Sequence, residues 1–214
     1  MDDLFEAMRP SVEIGEGALW LPNYAVPYAE RLMQSIEQIA AQAPFRKMMT
    51  PGGRLMSVMT TSCGQWGWQT DEKGYRYIDR DPVKQQPWPE MPSFFKDLAV
   101  KAAAEAGYLS FSPSSCLINR YAPDAQMGIH QDRDEGWFSE PIVSISLGVP
   151  ARFAFGGVKR SDPLKRFELR HGDVVVWGGA SRLAWHGISR LKKDFHPLTG
   201  DARYNLTFRV YQPR

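Results

Sequence analysis

The residues best suited to chemistry are histidines and acids at short spacing. The chain has four histidines, His130, His171, His186 and His196. His130-Gln131-Asp132 sets an imidazole and a carboxylate two residues apart, and on extended backbone positions i and i+2 point the same way. His186 lies well downstream, in Ala-Trp-His-Gly, at the end of an expected strand. Two histidines and one carboxylate on one face of a metal leave the opposite positions open. That arrangement suits a non-haem Fe(II) that must also bind a cosubstrate and O2. The ligand types alone leave a His2Asp zinc site open as well. A second H-x-D, His171-Gly172-Asp173, stands directly before Val-Val-Val-Trp and reads as a turn opening a buried strand. His196, ahead of Pro197, reads as a loop residue.

A cationic feature complements these ligands. In Arg-Tyr-Asn-Leu-Thr-Phe-Arg, residues 203–209, strand alternation puts Arg203, Asn205, Thr207 and Arg209 on one face and Tyr204, Leu206 and Phe208 on the other. Two arginines on the inner face of a small sandwich are costly without an anion. A small dicarboxylate is the expected partner, because guanidinium–carboxylate forks are strong and geometrically defined. A structural salt bridge would need two buried acids, and no strand offers a matching inward pair. Asn119 and Tyr121, in Leu-Ile-Asn-Arg-Tyr-Ala-Pro, add an amide and a phenol on one face of another strand.

Short strands must carry these groups. After residue 114, SCLINRYA, IVSISLG, RFAFGG, RFELR, DVVVWGG and RYNLTFRVY are strand-length and rich in β-branched or aromatic residues, with turn formers between them. No helix separates them, so an antiparallel sandwich or barrel is expected. Two helices precede them. Residues 28–43 place Leu32, Ile36, Ile39 and Ala43 at helical spacing. Residues 93–107 form a second, with Ser93 expected as N-cap and Gly107 as the residue just past the C-terminus. The fold class is α+β around a β-sandwich, in one domain spanning 1–214, with the helices covering one outer face. Residues 1–17 lack a period and are expected to be a loosely held arm. Residues 64–92 pack Trp66, Trp68, Tyr75, Tyr77 and Trp88 among glycines, prolines and charges. That texture fits a functional cover or binding loop. The bland reading, a satellite core, fits Trp66 and Trp88 better than Trp68.

Composition sets the bounds. With 214 residues and 43% hydrophobic content, the chain can bury a large core without disulfides. No apolar run reaches membrane-span length, and the first ten residues lack a signal-peptide layout, so no membrane partner is expected. Two cysteines, Cys63 and Cys116, fit a reducing, cytoplasmic setting. Charge is unevenly spread. Residues 151–214 hold 13 Lys/Arg against 5 Asp/Glu, whereas the first 150 hold 13 against 19. That basic third could face a polyanion, or could line a small-anion pocket with the remainder in water.

The H-x-D, the distant His and the R-x-N-x-x-x-R strand together resemble the AlkB family of Fe(II)/2-oxoglutarate dioxygenases. LINRYAP, HQDRDE, PIVSISLG, FGGVKRSDP, HGDVVVWGG, SRLAWHGI and RYNLTFR extend the likeness from about residue 44 to 210, most closely to bacterial members. The resemblance implies a double-stranded β-helix (jelly-roll) core over 114–210, flanking N-terminal helices and a nucleotide-recognition lid region over 44–92. It implies that His130, Asp132 and His186 hold Fe(II), and that Asn119, Tyr121, Arg203, Asn205 and Arg209 hold 2-oxoglutarate, the arginines serving its carboxylate ends. The implied activity is oxidative demethylation of N1-methyladenine and N3-methylcytosine in alkylated nucleic acid, consuming O2 and 2-oxoglutarate and releasing succinate, CO2 and formaldehyde. Trp68 would stack on the base with His130 on its other side. Asp134 would contact the base, Tyr75 and Arg160 the phosphates and nucleotide, with Tyr77 a lesser candidate.

A methyl group on a base edge cannot reach iron inside a duplex, so single-stranded DNA or a flipped base is the expected substrate. Duplex DNA and RNA are secondary partners, and the protein is expected to act as a monomer. Met127, Gly128 and Arg133 flank the metal motif and could shift preference among lesions. Two rivals remain: an RNA or tRNA base demethylase or hydroxylase of the same chemistry, and a non-catalytic nucleic-acid binder on the same scaffold. Turnover on matched DNA and RNA oligomers separates the first, and succinate release separates the second.

Overall fold

The computed structural model describes residues 9–213. Its strands are β1 (Val12–Gly15), β2 (Ala18–Leu21), β3 (Arg46–Met49), β4 (Leu55–Gly64), β5 (Gly67–Asp71), β6 (Gly74–Ile78), β7 (Ser115–Tyr121), β8 (Met127–His130), β9 (Ile142–Gly148), β10 (Ala151–Phe155), β11 (Lys165–Leu169), β12 (Val174–Trp177), β13 (His186–Ile188) and β14 (Arg203–Arg209). Its helices are α1 (Ala29–Gln42) and α2 (Ser93–Glu105). An eight-stranded sheet, ordered β1-β2-β12-β9-β14-β7-β4-β3, packs against a four-stranded sheet, β11-β10-β13-β8. The hairpin β5-β6 forms a third, two-stranded sheet. Every named pairing is antiparallel. This is the antiparallel sandwich the strand pattern called for, in the jelly-roll form the resemblance implied.

The central strands are buried on both faces, and their alternation separates two cores. Val143, Ile145 and Leu147 of β9, Val174 and Val176 of β12, and Leu206 and Phe208 of β14 meet the helices, where Leu32, Ile36, Ile39, Phe95 and Leu98 close the outer face. The opposite faces of these strands turn inward, where Tyr121, Ile142, Val175 and Trp177 join Phe153 and Phe155 of the small sheet. Leu32, Ile36 and Ile39 are each at most 2% exposed, so each contributes about 1.5–3 kcal/mol relative to an exposed position. Helix burial thereby holds β14 rigid, and with it the inward row Arg203, Asn205, Thr207 and Arg209.

Three local expectations change. Ser93 is the first residue of α2, with Pro92 in the N-cap position and no side-chain cap. Gly107 does sit past the C-terminus with φ +88°, and Tyr108 N–H bonds back to Ala103 O, the left-handed ending that favours glycine. The expected arm contains β1, paired with β2 at the sheet edge; residues 1–8 of it lie outside the described residues. The stretch 44–92 is not all cover. β3 and β4 extend the large sheet, with β4 paired to β7 from Met59↔Arg120 to Gly64↔Ser115. Only the β5-β6 hairpin and the loop after it stand apart.

Candidate active site

His130 ends β8 and His186 opens β13, and the two are direct partners in the register of those strands. Their rings lie 4.5 Å apart. His130 Nδ1 donates to Gly128 O at 2.7 Å and His186 Nδ1 to Ala184 O at 2.9 Å. Each bond fixes the tautomer and leaves Nε2 free as a donor to a metal. Both Nε2 atoms turn toward Asp132, at 3.4 Å from Oδ1 and 3.8 Å from Oδ2. One ligand atom from each of the three residues falls within 4.8 Å of the others, the one such cluster of three or more among the described residues. Burial and the His130 charge push the His186 pKa down to about 4, which keeps it neutral and fit to ligate. Burial also pulls His130 down, but the Asp132 carboxylate outweighs it and raises that pKa. Asp132 is held well below the usual carboxylate range: burial opposes ionisation, and Arg209 and the two imidazoles overcome it.

The trio opens into a cavity of about 770 Å³. Its far wall is the inner face of β14 with its neighbours in register, Arg203 beside Tyr121, Asn205 between Asn119 and Ser146, and Thr207 beside Ser144. Arg203 is 1% exposed. Its Nη2 donates to Ser146 Oγ at 2.8 Å, while Nε and Nη1 are buried without a hydrogen-bond partner. The carbonyl oxygen of Asn119 is also without a donor. A native protein rarely leaves a guanidinium in that state, and burial lowers the Arg203 pKa accordingly. A small carboxylate fits the orphaned N–H groups, just as a divalent cation fits the His–Asp–His donors. The two conditions for iron and a keto-diacid are met side by side.

Arg209 departs from expectation. Two buried acids do accompany it: Asp132 Oδ2, which accepts from its Nε and Nη2, and Glu135, whose Oε1 lies 3.3 Å from Nε. Neither acid sits on a strand; both follow β8 in the turn 131–135, where alternation no longer predicts direction. Glu135 is 3% exposed and also accepts from Tyr77 Oη at 2.7 Å and Arg182 Nη2 at 3.1 Å. Arg182 in turn donates to Asp132 O and Glu140 O. This network had no sequence signal beyond an acid in HQDRDE and a cation in SRLAWHGI. It makes Tyr77 a buried tie between the hairpin and the turn after β8.

At the mouth, Trp68 of β5 donates from Nε1 to Asp134 Oδ2 at 3.1 Å and stacks on Tyr75 of β6 at 5.6 Å. Tyr75 is half exposed. Burial, then the charges of Glu135 and Asp132, raise the Asp134 pKa, with Trp68 opposing. Arg160 is exposed, its guanidinium 4.6 Å from the ring centroid of Trp185, which lines the cavity. Trp88 is satellite core: it is 4% exposed, donates to Ile78 O, and lies so near Gly67 that a Cβ there would fall 2.2 Å from the indole. Trp66 sets its edge on Tyr211. The second H-x-D is structural. Asp173 is buried, accepting from Arg9, Trp20 and the Asn23 backbone, and His171 accepts from Gly148 N–H.

Comparison with known proteins agrees with this geometry. Residues 17–209 match the model of the 2OG-Fe(II) oxygenase superfamily. The alpha-ketoglutarate-dependent dioxygenase AlkB of Escherichia coli K12 is 56% identical over 210 residues, covering 98% of this chain and 97% of that protein. The nucleic acid dioxygenase ALKBH1 of Mus musculus is 33% identical over 119 residues, covering 55% of this chain and 31% of its own length. The solved structure of OsALKBH1 superposes with a TM-score of 0.83 at 28% identity, covering 94% of this chain and all of that one.

Proposed function

The chain belongs to the 2OG-Fe(II) oxygenase superfamily, and from that premise we propose that it removes methyl groups from the ring nitrogens of N1-methyladenine and N3-methylcytosine in nucleic acid, acting in repair of alkylated DNA. The observation that carries this reading is one cavity with three features. It has His–Asp–His donors within 4.8 Å of one another, a wall bearing orphaned Arg203 N–H groups, and a mouth bearing the Trp68–Asp134 pair. Iron(II) held by His130, Asp132 and His186, with 2-oxoglutarate and O2, supplies the oxidation that turns the N-methyl group into formaldehyde while 2-oxoglutarate leaves as succinate and CO2.

The remaining work falls to side chains. Arg203 offers its free N–H groups to one carboxylate of 2-oxoglutarate, and Asn119, Tyr121 and Asn205 line its length. Arg209, against Asp132, serves the end nearest the metal and keeps Asp132 ionised. Trp68 offers an aromatic face to the base, worth about 1–3 kcal/mol, with Tyr75 and Arg160 placed to meet the flanking phosphates. The substrate rings are cations, so the nearby Asp134 carboxylate favours them over neutral bases. Alkylation that blocks the pairing edge also reduces the cost of unpairing, which favours damaged bases and single strands. We read the protein as acting as a monomer, and the free thiols of Cys63 and Cys116 suit the cytoplasm.

Formaldehyde release from methylated DNA and RNA oligomers of one sequence, with Fe(II), 2-oxoglutarate and O2, tests the reading. Faster turnover of single-stranded DNA is expected. Preference for RNA would make this a base demethylase of RNA, and succinate without formaldehyde from either would overturn the proposal.

A further inference from the structure

Two large aromatic side chains are exposed in the loop that follows β8 and Asp132. Trp137 is 49% and Phe138 38% exposed, and Val158 on the neighbouring loop is 46% exposed. They are joined to the cavity by rigid connections. Arg182, itself 3% exposed, donates to the carbonyls of both Asp132 and Glu140, closing the segment between them into a pinned loop. Its guanidinium also lies 5.4 Å from the centroid of the Phe138 ring, a cation–π contact that orients the ring. Gln131 Nε2 donates to Val158 O and Leu183 O, which binds this loop to the one carrying Lys159 and Arg160. Arg133, Lys159 and Arg160, on these two linked loops, are all exposed. Asp134, three residues before Trp137, already touches Trp68 at the mouth.

We propose that Trp137 and Phe138 form a stacking step for an unpaired nucleobase adjacent to the one held in the cavity, with Arg133, Lys159 and Arg160 receiving the intervening phosphates. The proposal rests on the nucleic-acid reading above and extends it to a neighbouring nucleotide. Exposed aromatic rings amid cations are the two elements that single-stranded nucleic acid recognises: every base has a π face, and every link carries a negative charge. The loop is held at both ends by one buried guanidinium, so little ordering cost remains to be met on binding.

The test is the affinity of the iron-loaded protein, with 2-oxoglutarate and without O2, for a fluorescein-labelled methylated single-stranded pentanucleotide and for the corresponding labelled methylated mononucleotide, read by fluorescence anisotropy. Trp137→Ala is expected to weaken pentanucleotide binding roughly 5- to 150-fold, the equivalent of one lost stacking contact, while the mononucleotide affinity and the thermal midpoint stay unchanged. Trp137→Phe restores most of the loss. Equal weakening of both ligands, no weakening of either, or a change of oligomeric state in the variant would overturn the step, the last by making the patch a contact between copies of this chain. Tight pentanucleotide binding that depends on Trp137, with no formaldehyde formed once O2 is admitted, would sink the demethylase reading and leave the step standing.

Discussion

Arg203 shows how function leaves a mark at single-residue scale. A fully buried guanidinium with two unpartnered nitrogens is destabilising in the free protein, and a ligand carboxylate would relieve it. Arg203→Met is therefore expected to hold or raise the thermal midpoint while weakening 2-oxoglutarate binding by about 2–5 kcal/mol, as measured by anaerobic calorimetry with Fe(II). A lower midpoint with unchanged affinity would make Arg203 a structural cation. Its place on the inner face was legible from alternation along residues 203–209, as was the convergence of His130 and Asp132. The partners of Arg209 were not legible. Asp132 was expected to face the metal and not an arginine, and Glu135 comes from the turn after β8, where side-chain direction follows backbone bends that carry no period.

At the scale of elements, Glu135 joins three pieces: β6 through Tyr77, the metal turn through its own backbone, and the loop before β13 through Arg182. Tyr77→Phe removes a buried hydrogen bond to a charged acceptor, worth about 1.5–3 kcal/mol. Faster amide exchange across Gly67–Ile78 is expected, and unchanged exchange would show that the hairpin is held by Trp88 instead. A second junction lies at the other end of the sheet, where His171 stacks on His196 at 4.1 Å and accepts from Gly148. Burial lowers the His171 pKa to about 4 from 6.5. Below pH 6.5 the unfolded chain takes up a proton that the folded one refuses, so stability falls as pH drops from about 6.5 to 4. His171→Asn, which keeps an acceptor for Gly148 and does not titrate, should flatten that part of the stability curve; an unaltered slope would contradict it. Six of the eight strands after residue 114 and both helices were legible because their apolar periods are strong. β1, β2, β3 and β8 were not, being four residues long each, too short for a period to show; a strand was expected to end at His186, and β13 begins there instead.

The whole molecule is a division of labour between two sheets and a cover. The large sheet, braced by α1 and α2, carries the cationic wall on β14. The small sheet brings His130 and His186 into register, and the hairpin lays Trp68 across the opening. Of the basic residues after 150, Arg203 and Arg209 line the cavity, Arg182 is buried in the Glu135 network beside it, and Arg160 lies over Trp185 of the cavity wall. The most direct test of this account counts products. With Fe(II), 2-oxoglutarate, O2 and a single-stranded oligonucleotide bearing one N1-methyladenine, the protein should release one formaldehyde and one succinate per methyl group lost. Asp132→Ala, in which Arg209 still has Glu135 as partner, should release no formaldehyde. Formaldehyde from the Asp132 variant at a rate near that of the unaltered protein would contradict the central claim that this carboxylate and two imidazoles hold the iron.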